Sequence, residues 1–160
     1  MFPLHVVRKK VRSCVFLTRE FRISGGTHNF PTSSIKPMES KGQCCSFVKT
    51  NQSLKGSVGV LTYELHAMRN LIYKETLAIM FSVPYDYNLF SNWCAVGIFE
   101  SGRACDNSLF NEMYYNKEVS FARGKAGSQI KYEGKFHSVK ASMSDYASSI
   151  LTVELWNEVV

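Results

Sequence analysis

The side chains with the clearest capacity for chemistry in this sequence are aromatic rings. Residues 85–93 and 110–115 together hold seven of the 21 aromatic residues. Tyr and Trp join an apolar ring to a polar group, which suits a surface that is half wet and half apolar. Several ring faces together also attract a quaternary ammonium, by about 0.5–2 kcal/mol for each ring. The clusters therefore indicate a site for a choline-type headgroup, unless the rings instead pack into the core.

Catalytic chemistry finds little support. The sequence has no GxSxG motif, no P-loop and no dinucleotide fingerprint. Residues 123–125, Arg-Gly-Lys, lack the spacing of a phosphate-binding loop. The histidines are scattered without the spacing of paired metal ligands: His5, His28, His66 and His137. We therefore predict that the protein is not an enzyme and needs no cofactor or metal.

The cysteines do not form a recognisable framework. Their number, five, is odd, and no CxxC spacing occurs. This argues against a disulfide scaffold or a zinc site, and buried free thiols are the default expectation. The five are Cys14, Cys44, Cys45, Cys94 and Cys105.

Length and charge limit the remaining classes. The 160 residues are most simply one domain, 1–160. Five of the six net positive charges fall in residues 1–24, as a basic arm or as a solvated edge strand. We prefer the edge strand and expect no nucleic-acid partner. No apolar run approaches the ~20 residues of a membrane-spanning helix, and basic residues interrupt any signal peptide at the N-terminus.

The elements that would position the rings are mostly strands. Short segments rich in β-branched and aromatic residues, bounded by turn residues, predict a β-sandwich or barrel. The stronger candidates are 58–66, 76–84, 94–101, 129–133, 135–143 and 149–156, and the weaker ones are 4–11 and 14–23. Residues 24–50 are interpreted as mainly loop.

A single helix is predicted at about 105–116. Asp106 or Asn107 can cap its start. Helical spacing puts one broad stripe on one side of this segment, made of Leu109, Phe110, Met113 and Tyr114. Tyr115 falls on the opposite side.

Four stretches of the sequence resemble the actinoporin family of pore-forming sea-anemone cytolysins, in particular its fish-like branch. They are MFSVPYDYNLFSNW at 80–93, DNSLFNEMYY at 106–115, KGSVGVLTYEL at 55–65 and LTVELW at 151–156. The resemblance covers about 20–157, whereas residues 1–20 are divergent and basic. It implies a soluble protein, secreted or found on target-cell membranes, with a β-sandwich fold flanked by helices. It also implies binding to phosphocholine headgroups, preferably of sphingomyelin, and assembly into a homo-oligomeric, cation-permeable, haemolytic pore.

The resemblance also implies particular site residues. The phosphocholine site would comprise Ser24, Val58, Ser82, Pro84, Phe90, Phe110, Tyr114 and Tyr115. The membrane-docking residues would be Tyr87, Leu89, Phe90 and Trp93. Phe90 and Phe110 replace tyrosines of the family, Leu89 replaces a tryptophan, and 123–125 does not match the family's Arg-Gly-Asp. We therefore predict looser lipid selection than that of a sphingomyelin-specific member.

The N-terminal segment departs most from the family. In complete members an amphipathic helix precedes the first sandwich strand and inserts into the bilayer. Here the equivalent strand falls near 4–7, and the amphipathic helix is expected to be missing. Residues 1–17 are a poor substitute, because each central charge would cost about 2.5–3.5 kcal/mol in the bilayer. The expectation is a chain that docks on choline-lipid membranes and permeabilises them poorly.

The alternative function is that of a lectin-like module, which would bind carbohydrate on the same fold.

Overall fold

Alternating apolar and polar residues build two β-sheets that pack face to face in this computed structural model. The structure describes the backbone of residues 2–8, 14–24, 26–29, 43–48, 56–68, 72–84, 91–145 and 149–157, and the side chains of 56–66, 74–84, 91–145 and 149–156. These residues form eleven strands and one helix. The predicted mostly β, sandwich-like fold with a single helix is confirmed.

The two sheets differ in how they are assembled. The six-stranded sheet has the order β3-β4-β1-β11-β10-β9, and the five-stranded sheet has the order β2-β5-β6-β7-β8. The strands of the first are β1 (Phe2–Arg8), β3 (Gly26–Asn29), β4 (Gln43–Val48), β9 (Gln129–Glu133), β10 (His137–Met143) and β11 (Leu151–Asn157). Those of the second are β2 (Cys14–Ser24), β5 (Ser57–Met68), β6 (Ile72–Val83), β7 (Trp93–Glu100) and β8 (Phe121–Lys125). The pairing is antiparallel except between β1 and β11, which run parallel.

The inner core lies between the sheets and uses alternate residues of each strand. On β5 and β6 these include Leu61, Tyr63, Leu77 and Ile79, all fully buried. From the opposite sheet they meet the inward residues of β10 and β11, which are Val139, Ala141, Met143, Leu151, Val153 and Leu155. The alternate residues Leu151, Val153 and Leu155 of β11 thus place the apolar side of that strand in this core.

The helix α1 (Asn107–Tyr115) covers the outer face of the five-stranded sheet. Asp106 caps its start, because its side chain accepts a hydrogen bond of 3.0 Å from the backbone N–H of Leu109. Leu109, Phe110 and Met113 are buried, as the stripe predicted. They pack on alternate strand residues to form what we call the helix layer: Val60, Ala78, Met80, Ala95, Phe99, Cys105, Leu109, Phe110, Met113 and Phe121.

Both weaker strand candidates are confirmed as β1 and β2, whereas three short strands were not predicted. The interpretation of residues 24–50 as mainly loop was wrong where β3 and β4 occur, and β8 was also missed. Each is only four to six residues long and is held by partners distant in sequence. Such short segments carry little periodic signal. In the described part of the chain no helix is long and apolar enough to span a membrane.

Candidate functional site

A single row of paired residues crosses one end of the five-stranded sheet. Ser24 is paired with Val58, Val58 with Ser82, Ser82 with Trp93, and Trp93 with Lys125. We call these five residues the cross-strand row. Directly paired residues of neighbouring strands lie on the same face of a sheet, about 4.8 Å apart per strand. This face is the one covered by α1, since Val58 packs against the helix layer.

The middle of the row is nearly closed to solvent. Ser82 is 8% exposed, and Val58 and the following Pro84 are half-buried. Gly56 permits this closeness, because a Cβ atom there would lie 1.8 Å from the carbonyl oxygen of Val83. The Gly-Ser-Val sequence is therefore held against the Ser-Val-Pro sequence through a backbone contact that a larger residue would prevent.

The C-terminal turn of α1 presents aromatic rings on the same sheet face as this row. Tyr114 packs against the helix layer, as Val58 does. Phe110 is 4% exposed and stacks on Tyr114 with ring centroids 5.5 Å apart. Tyr115 is 70% exposed and meets Tyr114 edge-on at 4.6 Å. The buried ring of Phe110 thus supports the half-buried ring of Tyr114, which in turn contacts the exposed ring of Tyr115.

A strand residue fixes this turn of the helix. Nη1 of Arg123 donates hydrogen bonds to the carbonyl oxygens of Met113, at 3.0 Å, and of Asn116, at 2.9 Å. The last turn of α1 contains no basic residue of its own. A cation at the helix C-terminus satisfies free carbonyl groups and opposes the helix dipole. Arg123 therefore holds the two tyrosines from β8, a role for which the local sequence carries no signal.

The other end of the row carries a cation on an aromatic ring. Nζ of the exposed Lys125 lies 5.5 Å from the centroid of the half-buried Trp93 ring. This arrangement is a cation–π contact. The family resemblance predicted Trp93 as a site residue but not Lys125. Their contact could not be predicted, because it depends on the register of β7 and β8.

The predicted residues are partly brought together. The cross-strand row includes Val58, Ser82 and Trp93, and Pro84 lies two residues after Ser82. The rings that contact one another on α1 are those of Phe110, Tyr114 and Tyr115. The backbone of Ser24 is paired with Val58. Tyr87, Leu89 and Phe90 lie outside the described residues. The assignment of all these residues to a lipid site stays a prediction.

The two cysteines whose side chains the structure describes, Cys94 and Cys105, are buried and form no disulfide. Burial raises the pKa of Cys94 to about 12, so this thiol stays protonated and unreactive at neutral pH. Within the ranges described above, no group of three or more His, Cys, Asp and Glu side chains is placed to hold a metal ion.

A sequence model of the family described as sea anemone cytotoxic protein matches residues 38–156. The chain belongs to this family, the actinoporins. Actinoporin cytolysins are pore-forming toxins and not enzymes, so the prediction that the chain is not an enzyme is confirmed.

Two relatives illustrate the relation to known actinoporins. The chain is 45% identical over 62 residues to DELTA-alicitoxin-Pse1b of Phyllodiscus semoni, covering 39% of this chain and 25% of the toxin. It is 37% identical over 100 residues to cytolysin tenebrosin-B of Actinia tenebrosa, covering 62% of this chain and 43% of that protein. The matched region thus spans less than half the length of either relative.

The fold has a counterpart among solved structures. The lipid-binding protein Nakanori superposes with a TM-score of 0.67, covering 98% of this chain and 72% of Nakanori, at 10% identity. At this identity the likeness concerns the fold alone. It supports the β-sandwich architecture described above.

Proposed function

We propose that the protein is a membrane-binding, cytolysin-like actinoporin that attaches to the phosphocholine headgroups of lipid bilayers. The observation that carries the proposal is the meeting of two elements on one sheet face. The cross-strand row supplies the hydroxyl group of Ser82 from β6, with the backbone of Ser24 paired to the same row, and α1 supplies the tyrosine pair on the same sheet face. Membership of the actinoporin family and a lipid-binding structural neighbour give further support.

The two parts of a phosphocholine headgroup need different partners. The quaternary ammonium has no hydrogen-bond donor and is held by aromatic faces, a role we assign to Tyr114 and Tyr115. The phosphate accepts hydrogen bonds, and we assign the hydroxyl groups of Ser82 and Ser24 to it. No carboxylate occurs in the cross-strand row to repel the phosphate.

The replacement of a family tyrosine by Phe110 fits this division of roles. Phe110 is buried beneath Tyr114 and stacks on its ring. A ring in this position supports the tyrosine above it, and this contact does not require a hydroxyl group. We therefore propose that Phe110 contributes to the site through Tyr114, and that lipid selection is looser because fewer hydroxyl groups face the headgroup.

Sedimentation with vesicles tests the proposal. The chain should sediment with phosphatidylcholine or sphingomyelin vesicles and not with vesicles of a lipid lacking choline. Replacing both Tyr114 and Tyr115 by Ala should weaken binding about tenfold, the combined effect of two cation–π contacts. Tyr115→Phe keeps the ring face and should retain binding.

A control variant separates the site from general apolar surface. Phe136 is half-buried in the turn between β9 and β10, at the other end of the sandwich. Phe136→Ala should leave vesicle binding unchanged. Equal binding by the tyrosine double variant and the unsubstituted chain would contradict the proposal. Binding of the chain to a soluble sugar, without binding to lipid vesicles, would instead favour a lectin-like module.

Assembly and pore formation are the further parts of this proposal. We propose that bound chains associate as homo-oligomers, as the resemblance to pore-forming cytolysins suggests. Crosslinking on sphingomyelin-containing vesicles, compared with crosslinking in solution, tests the association. Dye release from the same vesicles measures permeabilisation separately from binding.

A further inference from the structure

Exposed apolar side chains point to a second region of contact. Among the described residues, three large apolar side chains are exposed: Tyr115 at 70%, Val119 at 73% and Ile150 at 46%. Tyr115 belongs to the proposed headgroup site, and Val119 follows the same helix. Ile150 lies elsewhere, in the connection between β10 and β11 of the opposite sheet. The function proposed above does not account for it.

The backbone around Ile150 is held in place by hydrogen bonds. The N–H of Ile150 donates to Oγ of Ser144 at 2.7 Å, and the N–H of Ser144 donates to the carbonyl of Ile150 at 3.0 Å. Oγ of Ser149 donates to the carbonyl of Ser144 at 2.6 Å. The next residue, Leu151, is fully buried in the inner core. Ile150 is therefore exposed although its own backbone is fixed by hydrogen bonds to Ser144.

A buried asparagine connects this turn to the cross-strand row. Asn92 is fully buried, and its Nδ2 donates to the carbonyl of Ser144 at 3.2 Å. Its own carbonyl accepts from the N–H of Ala126 at 3.0 Å, and Gly127 N–H donates to Met143 at 2.8 Å. Because Asn92 directly precedes Trp93 and Ala126 directly follows Lys125, all three elements meet at one end of the sandwich.

The chemistry of this end suits the boundary layer of a lipid bilayer. Lys125 lays its side chain over the Trp93 ring and keeps its exposed ammonium group available. Apolar and aromatic side chains enter the headgroup region, while a lysine remains level with the lipid phosphates. Near an anionic surface a lysine contributes further through electrostatic attraction. The exposed Asp145 would weaken this attraction but does not remove the combination of an apolar residue and a cation.

We propose that Ile150, which directly precedes β11, is a second membrane-contacting element that enters the bilayer interface while Lys125 contacts lipid phosphate. The inference rests on the proposed binding to lipid membranes and extends it from α1 to the opposite sheet. The protein would then contact the bilayer with the whole end of the sandwich.

Substitution of Ile150 tests the apolar part. Ile150→Ala should weaken sedimentation with phosphatidylcholine vesicles about threefold to tenfold, because several buried methyl and methylene groups are lost. Ile150→Trp should restore or strengthen binding, since Trp favours the membrane interface. Unchanged binding by Ile150→Ala would overturn this part of the inference.

Charge reversal tests the basic part with a matched control. Lys125→Glu should weaken binding to phosphatidylcholine vesicles that also contain phosphatidylserine. The loss should be larger than the loss on vesicles of phosphatidylcholine alone. Lys74→Glu makes the same change of net charge at an exposed position on β6, near the opposite end of the sheet. It should have little effect on either vesicle. Equal losses for the two variants would mean that net charge, and not this contact, controls binding.

The outcomes separate this inference from the proposed function. If the tyrosine double variant loses binding while the Ile150 and Lys125 variants keep it, the headgroup site stands and the second element is wrong. If the unsubstituted chain does not bind choline-lipid vesicles, both are overturned. Loss of binding in all three places supports contact through the whole end of the sandwich.

Discussion

The two ends of the five-stranded sheet differ in the polar groups that they carry and in whether those groups are paired within the fold. At one end, Nδ1 of the fully buried His137 lies 2.8 Å from a carboxylate oxygen of Glu75, joining the two sheets. Glu64 and His66 pair there at 3.2 Å. At the other end, the cross-strand row carries the hydroxyl group of Ser82, a tryptophan and a lysine.

This difference fits our proposal that one end serves stability and the other serves binding. A buried polar group costs free energy unless it has a partner, and the Glu75–His137 contact provides one inside the fold. Exposed apolar side chains such as Tyr115 and Ile150 add little to folding, because water surrounds much of their surface. Their presence is better explained by a surface that becomes buried on a membrane.

The largest effect should come from breaking the contact between the sheets. Glu75→Ala removes the carboxylate from a buried imidazole and should lower the free energy of unfolding by about 2–3 kcal/mol. Urea denaturation at neutral pH measures this change. Vesicle binding by the folded variant should be unchanged, since Glu75 lies far along β6 from Ser82.

A carboxylate on the surface of the same end gives the control. Glu133 pairs with Lys131 at 2.7 Å, and the hydrogen bond from this lysine lowers the pKa of the carboxyl group. Because this pair is exposed, Glu133→Ala should not change stability measurably. Equal destabilisation by Glu75→Ala and Glu133→Ala would contradict the structural role given to the Glu75–His137 contact.

A smaller effect on stability, with a clear effect on binding, is expected at Arg123. Arg123→Ala removes two hydrogen bonds from the end of α1 and should cost about 1–2 kcal/mol. Because Tyr114 and Tyr115 occupy that last turn, binding to phosphatidylcholine vesicles should fall severalfold. Arg123→Lys, which can still reach one carbonyl, should recover part of the binding.

Arg103 provides the matched control for Arg123. It pairs with the side chain of Glu112 of α1 at 2.6 Å and lies over the Phe99 ring. Arg103→Ala should lower stability modestly and leave vesicle binding unchanged. If both arginine variants lose binding equally, general loosening of α1 is the cause, and the specific role of Arg123 is wrong.

The sequence predicted those elements that local rules determine. Asp106 and the apolar stripe located α1 to within two residues, because capping and helical periodicity act within a few residues. The long strands of the five-stranded sheet were likewise visible in their composition. The placement of β1 between β4 and β11 was not predictable in this way, because it depends on pairing across the whole chain.

The candidate site follows the same rule. Ser82, Pro84 and the tyrosine pair were predicted as parts of one site, because their motifs resemble those of actinoporins. The functions now assigned to Arg123, Lys125 and Ile150 were missed, because each depends on a contact or an exposure that only the fold creates. A lysine on an aromatic ring could have been suspected only if the register of β7 and β8 had been known.

The two tryptophans of the chain offer a direct comparison of the two ends. Trp93 lies in the cross-strand row, whereas Trp156 lies on β11, paired with Ser138 and 5.2 Å from Nζ of Lys131. Ser138 directly follows His137, so Trp156 marks the end held by the Glu75 contact. The variants Trp156→Phe and Trp93→Phe leave one reporter at each end.

The most direct test is fluorescence quenching by phosphatidylcholine that carries a doxyl group near the headgroup. The two variants are compared at equal bound fractions, determined by sedimentation. The account predicts strong quenching of Trp93 in the Trp156→Phe variant and little quenching of Trp156 in the Trp93→Phe variant. Equal quenching of both, or stronger quenching of Trp156, would show that the protein does not meet the membrane with the end that carries the cross-strand row.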